Sequence, residues 1–597
     1  MSTPGTFEAE PDLPRIPVPD LEESCAQFLE WARPLLTDEQ YEATEAAVAE
    51  FLAVDSPAHP VYAAMKRHSE LPEVHSWLDD FWRDRYLGRR VRTAINANFF
   101  FLLPDTDQHD QHERAAELVI AALDHKHAID AETFPVTMQR GRPLSMEQHK
   151  YLFSSTRIPH PQRDLARTPY SQEWPGPSTA RHIIVLVDAA MFRLEVIGSD
   201  GAPHAPSEIA SALRAIDASV TTRGPGIGHL TSLDRADWAG VRDRLIGLDP
   251  ANAAAMEEIE RALFAIDLER RTPADLDAVC TELLAGDSGN RWFDKAVSFV
   301  VLPDGGAGLQ GEHCRLDGTT VAELIVSMAS ATPAEHEQRC GARTQGTPPW
   351  QPVTFVVDDA LQADIDRAAT AFAEFSNVTV NRAVELDTIG IDRAKALGVS
   401  PDGFVQLAYQ LAHLRAKGVI GATYESVATR TFHHGRTEAM RVITPQIQTF
   451  AALMQDPDAD AGTRAEAIRA AAAAHVARAR DCQAGRAPEQ LLWELQLFDR
   501  RHGGDWSAAL YDSPGWTIMR DDYLSTSSVP VQQVKMFGFG ATSGRCIGIG
   551  YQLLPNSLTL YLSTPRAIAD GMTAFIGELP GAIDDIAAAL EASGSGG

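Results

Sequence analysis

At 597 residues, 44% hydrophobic and 22% charged, the chain has the composition of an ordinary soluble globular protein, with room for more than one domain. Its 52 basic and 82 acidic side chains leave a formal charge of -30, which argues against a nucleic acid or an anionic membrane surface as partner. The six cysteines, Cys25, Cys280, Cys314, Cys340, Cys482 and Cys546, stand far apart without a Cys-x-x-Cys pair, so neither a disulfide framework nor a zinc ribbon is expected.

Residues 1–10 read as a disordered arm. Leu13 to Pro19 (LPRIPVP) is held extended by its prolines, and Asp20-Leu-Glu-Glu opens amphipathic helices that run to about Phe81. The opening carries no basic-then-apolar leader, and no run reaches the roughly 18 apolar residues of a membrane span, so a cytoplasmic protein is expected. Asn96 to Leu103 is a short apolar run, and the polar patch holding His109 and His112 reads as a solvated helix start rather than a metal site. Arg181 to Asp188 and Met191 to Ser199 read as paired strands; Gly224 to Ser232 is a loop before a helix around Trp238.

The chemistry concentrates between Asn290 and Gly318. A buried strand, Ala296 to Leu302, leads into a glycine-rich turn, Asp304 to Gly311, and then to His313, with Asp317 and Gly318 following in the pattern His-x-x-x-Asp-Gly. An aspartate one turn on can hold the imidazole in one orientation. An alcohol is a poor nucleophile, and a base titrating near the roughly 6.5 of an unperturbed histidine suits its activation. Gly306, Gly308 and Gly311 also spell a dinucleotide fingerprint, but they lead into Glu312 and His313 rather than a helix, and Asp317 stands too close to serve as the ribose-binding acid. Cys314 reads as a packing residue. A helix from Thr319 to about Ala329 follows, and the proline-rich residues 332–352 read as a crossing between two halves.

The second half opens with a strand, Val353 to Val357, and a helix. Ser400 and Asp402, around Pro401, form the N-cap of a helix from Val405 to Lys417, with Arg393 and Lys395 just before it; a phosphate site and a solvated loop both fit this spacing. Ala422 to Glu438 is dense in polar and aromatic residues. Its His433-His434 pair is set aside as a metal site, because consecutive residues point different ways and no carboxylate spacing supports them. The alanine-rich run from Thr463 to Arg480 is a packing helix. Leu524 to Pro530 places hydroxyls at a strand end, followed by a hairpin within Ile547 to Tyr561; the Gly540 to Gly544 segment is not a serine-hydrolase elbow.

Taken in order from Leu13 to about Ser563, the motifs LPRIPVP, LFSSTRIPHP, HIIVLV, IGHLTSLDRADWA, NRWFDKAVSFVV, SPDGFVQLAYQLAHLR, ATYESVATRTFHHGRT and LSTSSVP resemble the choline/carnitine acyltransferase family. The resemblance implies an α/β fold of two chloramphenicol acetyltransferase-like lobes, each a mixed sheet flanked by helices, with an active-site tunnel between them. Residues 11–85 plus 351–597 would form the coenzyme A and acceptor lobe, and 86–350 the catalytic-histidine lobe. It implies His313 as general base, Ser527 as the oxyanion donor and Asp317 as a structural carboxylate, with Arg436 as its candidate arginine. Lys395, with Arg393, Ser400 and Asp402 nearby, would meet coenzyme A; Ile391 stands where the family has a second lysine. Tyr424, Thr437, Ser525, Arg500 and Phe539 would meet the acceptor, and Phe537 would limit acyl length. Thr437-Glu438-Ala439 and Asp499-Arg500, or alternatively Arg501, favour carnitine over choline while leaving another small alcohol or amine open. The expected reaction is direct transfer of a short acyl group from acyl-coenzyme A, by a monomer that needs no metal and no permanently bound cofactor; a catalytically degenerate relative that binds coenzyme A without turnover is the other alternative.

Overall fold

The computed structural model describes residues 5–330 and 346–594. The chain divides into two units: one is built from Met1–Glu10, Arg85–Ala383 and Val531–Gly540, the other from Pro11–Asp84, Val384–Pro530 and Ala541–Gly597. The large sheets are made, in chain order, from β1 (Asn98–Leu102), β2 (His182–Val187), β3 (Ala190–Glu195), β4 (Ala265–Leu268), β5 (Val297–Val301), β6 (Ala307–Glu312), β7 (Trp350–Pro352), β8 (Thr379–Leu386), β9 (Thr423–Ala428), β10 (Thr437–Arg441), β11 (Leu524–Ser528), β12 (Met536–Phe539), β13 (Ile547–Leu553) and β14 (Leu558–Pro565).

The histidine-bearing unit holds an eight-stranded sheet in the order β7-β3-β2-β4-β5-β6-β1-β12. Strands β2, β4 and β5 run parallel and the outer pairings are antiparallel. β2, β4 and β5 are buried at every position, which is why HIIVLV and VSFVV read as unbroken apolar runs rather than alternating ones. The second unit repeats the plan in a six-stranded sheet, β8-β14-β13-β11-β9-β10, where β9, β11 and β13 run parallel. Both sheets are thus mixed and flanked by helices. Among the described residues, no helix is long and apolar enough to cross a membrane.

Several expectations change. Gly5–Glu10 is ordered: Thr6 donates to the carbonyl of Phe134, and the Glu10 carboxylate accepts from Ser145 Oγ and the Met146 amide. The glycine-rich turn is mostly strand β6. Its glycines serve close packing, since a Cβ on Gly308 would meet Leu283 and one on Gly311 would meet the Phe99 ring at 2.6 Å. The strand expected at Val353–Val357 is displaced to β7, because the Asn252 side chain takes up both the amide and the carbonyl of Val356 in place of a ladder partner. Residues 331–345 of the expected crossing lie outside the described residues. The histidine-bearing unit also extends past the expected 86–350. Leu361, Ile365 and Ala368 of the Asp359–Asn377 helix join the core around Trp238 and Leu245, and β12 adds an edge strand to β1.

Candidate functional site

His313 follows the last residue of β6, and its side chain is 29% exposed. The ring stacks on Tyr86, with centroids 4.7 Å apart and planes at 21°, and the edge of Phe99 meets it at 5.1 Å. Gly311 makes the second contact possible, because β1 and β6 pair Phe99 with Gly311 and the ring occupies the volume of the absent Cβ. His313 Nδ1 lies 3.6 Å from Asp317 Oδ1, an electrostatic contact longer than a hydrogen bond. Asp317 is buried. Gln148 holds it from both sides, donating to Oδ2 at 2.7 Å and accepting the Asp317 amide at 2.7 Å, while Thr320 donates to the same Gln148 oxygen. That reciprocal clasp pins the turn carrying His313 to the start of the Gly318–Ser330 helix.

A buried ion network lies behind the imidazole. Arg157 donates to Glu312 at 3.1 Å, to Asp164 at 2.6 Å and to the Tyr86 carbonyl at 2.6 Å. Arg235 joins Asp164 to Asp294, and Trp238 caps Asp294. Burial opposes charge on Arg157, but Glu312 and Asp164 outweigh it and hold the guanidinium protonated above its usual range. Burial likewise opposes charge on Asp164, yet Arg235 and Arg157 pull its carboxyl below the ordinary carboxylate range. Arg157 therefore fixes the residue before His313 and the backbone of the ring stacked on it. Cys314 is buried, and burial beside Glu312 pushes its thiol well up, so it packs rather than attacks.

Phe539 and Phe537 belong to this unit, through β12. Phe537 stacks on Phe101 at 5.1 Å, and Phe539 pairs in register with Phe99. An aromatic strip runs from β12 across β1 to the histidine.

In the second unit, the register places Tyr424, Ser426 and Ala428 opposite Arg441, Ala439 and Thr437, and Tyr424 beside Ser525. Side chains alternate along strands, so Tyr424, Ser426, Thr437, Ser525 and Ser527 share one sheet face. Ser426 and Ser527 hydroxyls meet at 3.1 Å. Arg501 pairs with Asp84 and Glu494, whereas Arg500 lies on the exposed last turn of the Pro488–Arg501 helix. Arg436 pairs with Asp79 at 3.3 Å. Glu438 points to the opposite sheet face from Thr437. It is fully buried, neither of its carboxylate oxygens accepts a hydrogen bond, and burial raises its pKa well above the ordinary range.

Ser400 caps the Pro401–Lys417 helix by accepting from the Gly403 amide. Lys395 is exposed on the short Ile391–Ala396 helix, and Arg393 donates to the Thr388 carbonyl. Asp402 turns instead to Tyr551 at 2.6 Å and His475 at 3.0 Å, with Glu425 accepting from the same Tyr551 hydroxyl. Burial opposes charge on His475, but Asp402 and Glu425 raise its pKa, and the four side chains form a hydrogen-bonded network. Gln406 donates to Thr526, which donates to the Tyr424 carbonyl; the helix start is thereby tied to the strands carrying Tyr424 and Ser527.

Tyr86, Phe99, Gln148 and Arg157 escape a residue-by-residue reading because their roles depend on long-range pairing. Arg157 does lie within LFSSTRIPHP and Phe99 within the apolar run Asn96 to Leu103, but neither pattern points to the histidine.

The family model for choline/carnitine O-acyltransferases matches residues 16–579. The chain is 30% identical to human carnitine O-acetyltransferase over 589 residues, covering 96% of this chain and 92% of that protein. It is 30% identical to human peroxisomal carnitine O-octanoyltransferase over 516 residues, 83% of each. Among solved structures, a trichothecene 15-O-acetyltransferase from Fusarium sporotrichioides aligns over 85% of this chain and 94% of its own, with TM-score 0.38 and 11% identity. With a match over nearly its whole length, the chain belongs to the choline/carnitine O-acyltransferase family, and it is an acyl-coenzyme A-dependent O-acyltransferase.

Proposed function

We propose that the chain transfers a short acyl group from acyl-coenzyme A to the hydroxyl of carnitine or a similar amino alcohol, with His313 as general base. The supporting observation is an imidazole that stays partly exposed while Tyr86, Phe99 and the turn clasped by Gln148 fix its orientation. With Nδ1 turned to Asp317, Nε2 takes the acceptor proton. The alkoxide oxygen bonds to the thioester carbonyl carbon, Ser527 steadies the oxyanion, the C–S bond breaks, and the imidazolium returns its proton to the thiolate. No acyl-enzyme forms and no permanently bound cofactor is needed.

Lys395 and Arg393 would supply cations to coenzyme A, beside the helix start capped by Ser400 and braced through Asp402. Tyr424, Thr437 and Ser525 would hold the acceptor, Arg500 would answer its carboxylate, and Phe539 would face its ammonium group, a contact of about 1 to 2 kcal/mol.

A second reading, a different small alcohol or amine, is favoured by Glu438. Its carboxyl is buried without a hydrogen bond, and Arg501 is engaged by Asp84 and Glu494, so neither feature presents the acceptor-carboxylate pairing that a carnitine enzyme needs. Thiol release from acetyl-coenzyme A across carnitine, choline and other amino alcohols decides: carnitine turnover supports the first reading and selective turnover of another acceptor the second. Silence with every alcohol and amine acceptor would overturn both.

A further inference from the structure

Three histidines outside the proposed reaction converge in the second unit. His433 and His434 sit in the turn between β9 and β10, and His75 comes from the segment just before the Trp77–Leu87 helix. Their ring centroids form a near-equilateral triangle: 4.8 Å from His75 to His433, 4.4 Å from His75 to His434, and 4.6 Å between His433 and His434. One ring nitrogen from each lies within 4.8 Å of the others. In the sequence, His433-His434 lacks a carboxylate at ligand spacing, and consecutive side chains ordinarily point different ways. Here His434 adopts φ 49°, and that left-handed turn brings its ring back beside that of His433, while the third donor arrives from far along the chain.

We propose that His75, His433 and His434 form a binding site for a divalent transition-metal ion of the zinc type. Imidazole nitrogen suits such ions, and three protein ligands with a fourth, water-filled position is a familiar zinc arrangement. A tetrahedral ion with bonds of about 2.0 Å needs its nitrogens about 3.3 Å apart, so the rings would draw together from their present spacing on binding. His75 is exposed, so the open side has access to solvent.

The framework under the site is already built. The Phe432 amide donates to the Thr429 carbonyl, the Gly435 amide to that of Phe432, and the Thr429 amide to that of Arg436. A Cβ on Gly435 would strike the Thr429 carbonyl at 2.2 Å, so only glycine closes this turn. The His433 amide donates to the Pro14 carbonyl, and Arg15 donates to the carbonyls of Ser69, Leu71 and Pro72. An ion at the three rings would therefore staple together the proline-fixed arm, the segment before Trp77 and the β9–β10 turn.

The test uses the tag-free full-length chain, stripped with a chelator and titrated with Zn²⁺ against a chromophoric competitor. Expected are one ion bound per chain, loss of that stoichiometric binding in His75→Ala and in His433→Ala, and a rise in melting temperature with Zn²⁺ seen in the wild type alone. Co²⁺ should give the visible absorption of a four-coordinate nitrogen site. Circular dichroism reports whether each variant folds, and His75→Asn provides a milder replacement at an exposed position. The proposal fails if the wild type takes up no stoichiometric Zn²⁺, or if folded His75→Ala and His75→Asn bind it as the wild type does.

Discussion

The imidazole of His313 lies almost flat against Tyr86, and the backbone of that same tyrosine is gripped by Arg157. The stack limits how far the ring can tilt, and a base misplaced by about 1 Å can cost about a hundredfold in rate. Tyr86→Leu should lower kcat by about tenfold to a hundredfold, whereas Tyr86→Phe, which keeps the ring, should stay within a few-fold of wild type. Steady-state kinetics with a parallel measurement of coenzyme A binding checks this; equal activity of the two variants would show that the stack is incidental.

His313→Ala should lose about a hundredfold to ten-thousandfold in rate, the usual range for a general base, while still folding and binding coenzyme A. Because no acyl-enzyme is proposed, initial rates over both substrates should intersect as for a ternary complex. Parallel lines, or near-normal turnover of the variant, would refute the assignment.

The buried strand before the glycines and the helix expected from Thr319, which begins at Gly318, were legible because each depends on local pattern: a β-branched run and an Asp-Gly start. What supports the histidine was not. Gln148 meets Asp317 across 169 residues and Arg157 meets Glu312 across 155, contacts that leave no local periodicity. The glycines misled for a related reason. Gly308 and Gly311 looked like turn residues, yet they are small so that Leu283 and Phe99 can lie on the strand. The convergence of His75 on His433 and His434 needed both a distant segment and a left-handed residue that no propensity would place there.

Arg157 and Asp164 are buried partners, so removing one strands the other's charge. Arg157→Met should cost about 3 to 5 kcal/mol, well beyond an exposed salt bridge. Asp164 has a lowered folded pKa, so its contribution is present above its unfolded pKa and is lost as pH falls through the folded value. Asp164→Asn should therefore destabilise strongly at neutral pH and progressively less in acid. Urea midpoints for wild type and variant across that range would settle it; a gap independent of pH would contradict the linkage.

Phe537 is buried against Phe101 on the strip that leads to His313. If that ring ends the acyl site, Phe537→Ala should raise kcat/KM for medium-chain over acetyl donors, at a stability cost of about 3 to 5 kcal/mol for the cavity. Rates with acyl donors of increasing length, taken below the variant's melting temperature, provide the measurement. A uniform loss across chain lengths would place the acyl limit elsewhere.

Glu438 tests how the buried face of the second unit's sheet bears on stability. Burial, with Glu489 nearby, raises its pKa well above the ordinary glutamate range, so the folded chain binds a proton there that the unfolded chain releases. The stability this lends is complete below the unfolded pKa and is lost as pH rises through the folded one. Glu438→Gln keeps the shape and removes the titration. The variant's melting temperature relative to wild type should rise steadily as pH climbs above the ordinary glutamate range, with the two closest at the acid end. Parallel melting curves would mean that a counter-charge holds Glu438 ionised in the folded chain.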